Sequence, residues 1–337
     1  VSAARLWVLS VGKPGDDAQA TLLADAVGWP YVVKRVGVDP LEPPWPEVAV
    51  SFGRETELAA RTLAARAAGA VRLVQLGRPH GPLAGLDLVV GLPQYELPEH
   101  PRIVRLPLPL QRVTPAAVAR AAAAWTPPPG VRLDRPRIAV LVGGTTRPYV
   151  LDPPAARQLA EQVSAAARTA GGSLLVTTSR RTSPSVAETL AAALTAPSVL
   201  HRWSAGDPAN PYLAFLGLAD RIVVTADSAS MLADAVSTGK PVEIFSLPRE
   251  RRGRRWLRDA ARAAVWRAAG APAVGRLLAP LVEHLGVRPR RDLAFLHAAL
   301  IARGLAAPFG QPPPLRESAP AADGLGAVAA RVRALVG

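Results

Sequence analysis

The sequence predicts an α/β protein made of two successive doubly wound halves, each with a parallel sheet. Three observations carry this. Short Val-, Ile- and Leu-rich runs alternate with stretches of helical period through most of the chain. The turns after those runs are short and rich in Gly, Ser, Thr and Arg. The run Thr126-Pro127-Pro128-Pro129-Gly130 cannot continue a helix and reads as a stiff linker between the halves. The expected division is a first domain over 1–125, a linker over 126–132, a second domain over 133–305 and a tail over 306–337 ending in an amphipathic helix.

In the first half, Arg5–Ser10 reads as a strand, followed by the polar turn Gly12–Gln19 and a helix from about Ala18 to Val27. Tyr31–Val36 and Val48–Phe52 are strands, and Glu55–Ala68 is an amphipathic helix. Strands at Val71–Leu76 and Leu86–Val90 follow, then a helix over Thr114–Trp125 with Pro115 in its first turn. In a parallel sheet, function lies at the carboxyl ends of the strands. Those ends carry Gly12–Gln19, Gly53-Arg54 and Gly77–His80.

The second half repeats the pattern. Arg137–Val142 is a strand that runs into Gly143-Gly144-Thr145-Thr146-Arg147, and a helix spans about Pro153–Ala170. Ser173–Val176 is a strand ending in Thr177-Thr178-Ser179-Arg180-Arg181. A helix over Pro184–Leu194 and a strand near Val199–Trp203 come next, then a helix capped by Asn210 with Pro211 at its first position. Arg221–Val242 holds a buried strand, the turn Thr225-Ala226-Asp227-Ser228 and a helix with Met231, Leu232, Ala235 and Val236 on its packing face. Ser228 or Asp227 is placed to cap that helix, and Gly239 with Pro241 ends it. Its first turn offers free N–H groups to an anion near Ser228 and Ser230. Asp234, one turn on from Ser230, can accept two hydroxyls of a ribose. A purely structural role, Asp227 as cap and Asp234 as surface charge, fits the same residues.

Composition narrows the chemistry. There are no cysteines among the 337 residues, which excludes disulfides, thiolate metal sites and cysteine nucleophiles. No His-x-x-x-His or Asp-x-Asp spacing suggests a metal, and no Gly-x-Ser-x-Gly suggests a serine hydrolase. No Gly-x-Gly-x-x-Gly follows the first strand, which argues against a dinucleotide-dependent dehydrogenase or epimerase. The net charge of +14 comes almost entirely from arginine, with lysine only at 13, 34 and 240. Abundant Arg, Ala and Pro together suit a GC-rich genome, so nucleic-acid binding is not expected. The absence of a long apolar run or leader pattern suggests a cytoplasmic chain. Arg249–Arg267 contains eight arginines, two acids, Trp256 and Trp266. That segment, through Arg249–Trp266, suits peripheral contact with an anionic inner-membrane surface; a solvated helix with inward tryptophans is the plainer alternative.

The segments GKPGDDAQ (12–19), VGGTTRPY (142–149), TTSRRT (177–182), NPY (210–212) and TADSASM…D…STGKPV (225–242) resemble the elongated-mitochondria (ELM-type) mitochondrial-fission family, whose bacterial members are described as glycosyltransferases. The match covers about Leu6 to Phe309. This family in turn resembles GT-B glycosyltransferases, including the lipid-II-forming N-acetylglucosaminyl transferase. The resemblance implies two Rossmann-like domains facing across a cleft, a nucleotide-sugar donor on the second, and a C-terminal helix returning to the first. It implies donor phosphates near Gly143, Gly144 and Thr145, and a ribose near Asp234, where such enzymes use the longer glutamate. Where the family carries a His-Asp pair, this chain has Gln94-Tyr95.

The expected function is metal-independent, cofactor-free transfer of a sugar from a nucleoside diphosphate donor to an envelope lipid or polysaccharide. The alternative is a non-catalytic adaptor of the same fold that recruits a partner. The donor site is expected at Gly143, Gly144, Thr145, Arg147, Thr177, Thr178, Ser179, Arg180, Arg181, Asn210, Tyr212, Asp227, Ser228, Ser230, Met231 and Asp234. Arg180 and Arg181 would neutralise phosphate in place of a metal. Asp16 is the expected general base, Lys13 a holder of acceptor phosphate and Gln19 an orienting group. The residues also allow Asp16 or Asp17 simply to cap the helix beginning near Ala18.

Overall fold

The computed structural model describes residues 4–95, 97, 99–106, 108–110, 113–250, 291–311 and 323–337. The chain opens with β1 (Leu6–Ser10), α1 (Pro14–Val27), β2 (Tyr31–Arg35), β3 (Val48–Phe52), α2 (Arg54–Arg66), β4 (Arg72–Leu76), β5 (Leu88–Gly91) and β6 (Ile103–Arg105). It continues with α3 (Pro115–Ala124), β7 (Arg137–Leu141), α4 (Pro153–Thr169), β8 (Ser173–Thr177), α5 (Pro184–Ala193) and β9 (Ser198–His201). Then come α6 (Tyr212–Leu218), β10 (Arg221–Thr225), α7 (Ala229–Ser237), β11 (Val242–Phe245), α8 (Leu293–Ala302), β12 (Ala307–Pro308) and α9 (Asp323–Arg333).

These described elements divide between two compact units. The first takes residues up to 110, 291–295 and 323–337; the second takes 113–250 and 296–311. The sheet of the first unit is parallel throughout, in the order β2-β1-β3-β4-β5-β6. Its inner strands are buried on both faces, which is why they read as unbroken apolar runs. Leu6 and Val8 of β1 point to one side, where Ala20, Leu23, Ala24 and Val27 of α1 pack with Val328, Ala329 and Val332 of α9. Trp7 and Leu9 point to the other, against Ala60, Leu63 and Ala67 in and just beyond α2. The period of two in the strand and of 3.6 in the helices together give the three layers.

The second unit has the parallel order β12-β11-β10-β7-β8-β9. Counted within that unit, the order is 3-2-1-4-5-6, the Rossmann arrangement. Ala156, Leu159, Ala160, Val163 and Ala167 give α4 a buried apolar stripe, with Ser164 buried beside it. Asp152 caps that helix by accepting from the Ala155 N–H at 3.0 Å.

Several elements depart from the sequence reading. Helix α1 begins at Pro14, four residues earlier than expected, with Lys13 in the N-cap position. Proline tolerates the first helical position, and Asp16 and Asp17 favour the first turn through the helix dipole. Neither aspartate is therefore the cap. Helix α3, expected in the first domain, packs on α6 and groups with the second unit, so the Pro-rich run lies inside that unit. Strands β6 and β12 were not anticipated; at three and two residues they have no legible period. Of the Arg249–Trp266 segment, only Arg249 and Glu250 fall within the described residues; the rest lies outside them.

Candidate functional site

In the second unit the strand order reverses between β7 and β10, the point at which doubly wound sheets bind ligands. Here the turn after β7 meets the turn after β10. The Asp227 side chain is wholly inaccessible. It accepts from the Gly144 N–H at 2.7 Å and from the Thr225 hydroxyl at 2.7 Å. The Gly143 N–H donates to Thr225 Oγ1 at 2.8 Å. A guanidinium nitrogen of Arg181 stands 3.1 Å from the same carboxylate. Burial pushes the Asp227 carboxyl up, while Gly144, Thr225 and Arg181 pull it down. A Cβ on Gly143 would collide with Asp227, and one on Gly144 with the carbonyl of Arg181. Both glycines are thus required by close approach.

This arrangement changes several expected roles. The Gly143 and Gly144 N–H groups are already used inside the protein. Asp227 neither caps α7 nor faces solvent; it ties two loops and one arginine together. Thr145 exchanges hydrogen bonds with the Leu151 backbone, and Arg147 pairs with Glu250 at 3.1 Å.

The loop after β8 is fastened to the same point. Ser179 Oγ donates to the Gly143 carbonyl at 2.9 Å, and the Thr182 hydroxyl binds that carbonyl too. Thr178 Oγ1 accepts from the Trp203 N–H at 2.8 Å, while Thr177 is buried. The adjacent arginines have opposite fates. Both are exposed, but Arg181 reaches Asp227 and Thr146, whereas Arg180 forms no ion pair among the described residues. Thr146, Thr182 and Thr225 were not singled out from the sequence as site residues. Their only signal was a hydroxyl in a turn at a strand end.

Helix α7 starts at this reversal. Ser228 occupies the N-cap position, but its side chain makes no capping bond. The first amide to donate back is that of Leu232, to the Ser228 carbonyl at 3.1 Å, which leaves Ala229, Ser230 and Met231 N–H without an acceptor among the described residues. Ser230 is exposed, and Met231 packs inward. One turn on, the Tyr212 hydroxyl donates to Asp234 Oδ2 at 2.8 Å. Asn210 Oδ1 in turn receives the Tyr212 N–H at 3.0 Å and so fixes the start of α6. Burial pushes the Asp234 carboxyl up to about 6, against the pull of Tyr212, and burial with Asp234 drives the Tyr212 phenol well up. At the far end of α6, Lys240 Nζ donates to the Leu216 carbonyl at 2.7 Å and to that of Gly217.

In the first unit, Lys13 lies at the surface and pairs with Glu55 at 3.3 Å. Asp17 accepts from Ser10 Oγ at 2.8 Å. The Asp16 carboxylate is half-buried and accepts no hydrogen bond among the described residues. Burial raises its proton affinity, Asp17 adds to this, and Lys13 and Arg291 oppose it. Gln19 is half-buried on α1, within one turn of Asp16.

The family model for mitochondrial fission ELM1 matches residues 14–270, more than half of the chain. The chain belongs to the mitochondrial fission ELM1 family. Among curated ELM1-family relatives is the mitochondrial fission protein ELM1 of Arabidopsis thaliana. It is 26% identical over 222 residues, covering 59% of this chain and 51% of that protein. This ELM1-family chain thus spans about half the length of the curated relative. Among solved structures, the UDP-GlcNAc 2-epimerase of Methanocaldococcus jannaschii has a TM-score of 0.50 at 9% identity, over 98% of this chain and 99% of that one. The spinosyn forosaminyltransferase SpnP has a TM-score of 0.48 at 15% identity, over 99% and 100%. The ELM1-family chain therefore has a GT-B-like fold: two Rossmann-like α/β units, each with a parallel six-stranded sheet. No helix among the described residues is long and apolar enough to cross a membrane.

Proposed function

We propose that this protein transfers a glycosyl group from a nucleoside diphosphate sugar to a hydroxyl of an envelope lipid or polysaccharide. The observation that carries the reading is the uncapped first turn of α7. Three N–H groups there lack acceptors among the described residues, Ser230 is exposed beside them, and the Asp234–Tyr212 pair stands one turn away. Free amides at a helix N-terminus suit a diphosphate, and a carboxylate about 6 Å further along the axis suits a ribose diol. Arg180, unpaired among the described residues, supplies the mobile positive charge; in this reading no metal is needed to neutralise the leaving diphosphate. Arg181, Asp227, Gly143 and Gly144 act one layer further in and hold these groups in place.

In the transfer, the acceptor oxygen forms a bond to the anomeric carbon as the bond from that carbon to the phosphate oxygen breaks. The nucleoside diphosphate leaves with the electron pair, and Asp16 takes the acceptor proton. Its carboxylate, which accepts no hydrogen bond among the described residues, and its raised proton affinity support that role. Lys13 and Gln19 would hold and orient the acceptor. Contact with an anionic membrane through Arg249–Trp266 belongs to the same reading, supported by the arginine and tryptophan content of that segment.

Calorimetry with UDP, GDP, CDP and ADP sugars, followed by transfer assays on envelope extracts, tests the proposal. Binding of one class with transfer, abolished by Asp16→Asn while nucleotide binding persists, is the expected result. Nucleotide binding without transfer to any extract would overturn the enzymatic reading.

A further inference from the structure

The first unit has a strand-order reversal of its own, between β1 and β3. Asp16 comes from the first turn of the helix after β1, and Gly53 ends β3. Gly53 has φ +102°, and a Cβ there would stand 3.9 Å from Asp16 Oδ2. At the next strand end Gly77 has φ +81°. A Cβ on it would stand 2.9 Å from Phe52 Cε2 and 3.3 Å from Tyr95 Cε2. Glycine at this position leaves room for an edge of each ring at the end of β4. Asp16 acts electrostatically on the Tyr95 phenol, so that ring lies near the carboxylate. Both rings are only partly buried.

The Tyr95 side of this group is held firmly. Tyr95 pairs with Arg291 in an antiparallel bridge, and the Gln94 carbonyl accepts from the Asp292 N–H at 2.9 Å. The Gln94 side chain, 5% exposed, bonds the Tyr95 phenol and keeps its Oε1 without a hydrogen-bond partner. Asp16 likewise offers a carboxylate that the described residues leave unused. Among the described residues, neither oxygen is used in a hydrogen bond of the fold.

Aromatic faces beside carboxylate and amide acceptors have a definite chemical preference. The negative ring face attracts C–H groups, and the carboxylate accepts hydroxyls. Lys13 and Arg291 act on the same carboxylate, so a phosphate is the competing ligand that the test must exclude. We propose that this end of the first unit binds a saccharide ring, with Phe52 and Tyr95 on its C–H face and Asp16 on its hydroxyls. The inference rests on the glycosyl-transfer reading for its biological sense and names the acceptor as a sugar hydroxyl.

Saturation-transfer NMR on the full chain tests it, with the methyl glycosides of glucose, galactose, mannose and N-acetylglucosamine as probes. At least one should receive saturation at its ring protons. Tyr95→Ala should weaken that binding roughly tenfold, the size of a lost aromatic contact, and Tyr95→Phe should retain it. If Tyr95→Ala loses its cooperative melt, Phe52→Leu removes a ring while keeping apolar volume. An octyl glycoside that binds more tightly than its methyl counterpart assigns a glycolipid source; equal binding assigns a polysaccharide. No saturation with any glycoside, or inorganic pyrophosphate binding that depends on Tyr95, would overturn the proposal. UDP calorimetry on the same variants separates the two readings. Tyr95→Ala should leave UDP affinity unchanged; glycoside binding in a chain that binds no nucleotide would sink the donor site and leave this one standing.

Discussion

Tyr212 opens α6 and donates its hydroxyl to Asp234, in the middle of α7, at 2.8 Å across 22 residues of sequence. The carboxyl is pushed up to about 6 by burial. Between about 4, the ordinary aspartate value, and 6, the native state holds the proton more tightly than the unfolded chain. Stability therefore falls as pH rises through that window, by at most about 3 kcal/mol. Asp234→Asn should flatten this slope in urea titrations from pH 4 to 7. It should also remove the ribose acceptor, so affinity for the nucleotide sugar that binds the wild-type chain falls although the fold gains stability above pH 6. An unchanged slope would show that solvent reaches Asp234 freely.

The neighbouring arginines 180 and 181 should separate binding from stability. Arg180→Ala should lower nucleotide affinity about tenfold and leave the thermal midpoint within a degree or two, as expected for an exposed charge. Arg181→Ala leaves the inaccessible Asp227 carboxylate with only Gly144 and Thr225 as partners and should destabilise by about 1–2 kcal/mol. Calorimetry and chemical denaturation of both variants check this. Equal effects in the two would refute the division of roles.

Glu57 is a counterpart in the first unit. It is 1% exposed, pairs with Arg61 at 2.9 Å and accepts from the His80 and Gly81 N–H groups at 2.6 and 3.0 Å. Glu57→Ala should cost about 3 kcal/mol, since two amides and a guanidinium lose one shared acceptor. Hydrogen exchange at His80 and Gly81 should accelerate well before exchange in β4.

For the membrane segment, co-sedimentation should show binding to anionic vesicles that weakens steeply with salt. Each arginine near the surface contributes about 1 kcal/mol at low ionic strength. Equal binding to neutral vesicles, or none at low salt, would remove the membrane from the proposal.

The layer structure was legible because buried parallel strands write themselves as apolar runs and helices as 3.6-residue stripes. Leu6–Ser10, Val48–Phe52 and Arg221–Thr225 fell where expected. The roles of Gly143 and Gly144 were less accessible. A glycine pair after a strand shows that something approaches closely, and sequence cannot say whether it is a ligand or, as here, Asp227 and the Arg181 backbone. Asp234 was visible as a carboxylate one turn into a helix. Its partner was not, because the Tyr212 contact depends on how α6 and α7 lie against each other. Asp16 resembles a cap in the sequence because Gly15 obscures the helix start that Pro14 makes.

Helix α6 is fastened to the α7 segment at both ends, by Tyr212 to Asp234 and by Lys240 to the Leu216 and Gly217 carbonyls. Its outer side carries α3, where the Trp125 indole meets Phe215 edge-on with ring centroids 5.3 Å apart. A helix pinned twice cannot tilt without carrying its neighbours. Displacement of the Ser230 end of α7 should therefore reach Trp125 as a change in ring contact. The chain contains its own optical lever, and the fluorescence of that one tryptophan would register motion at a turn it does not touch.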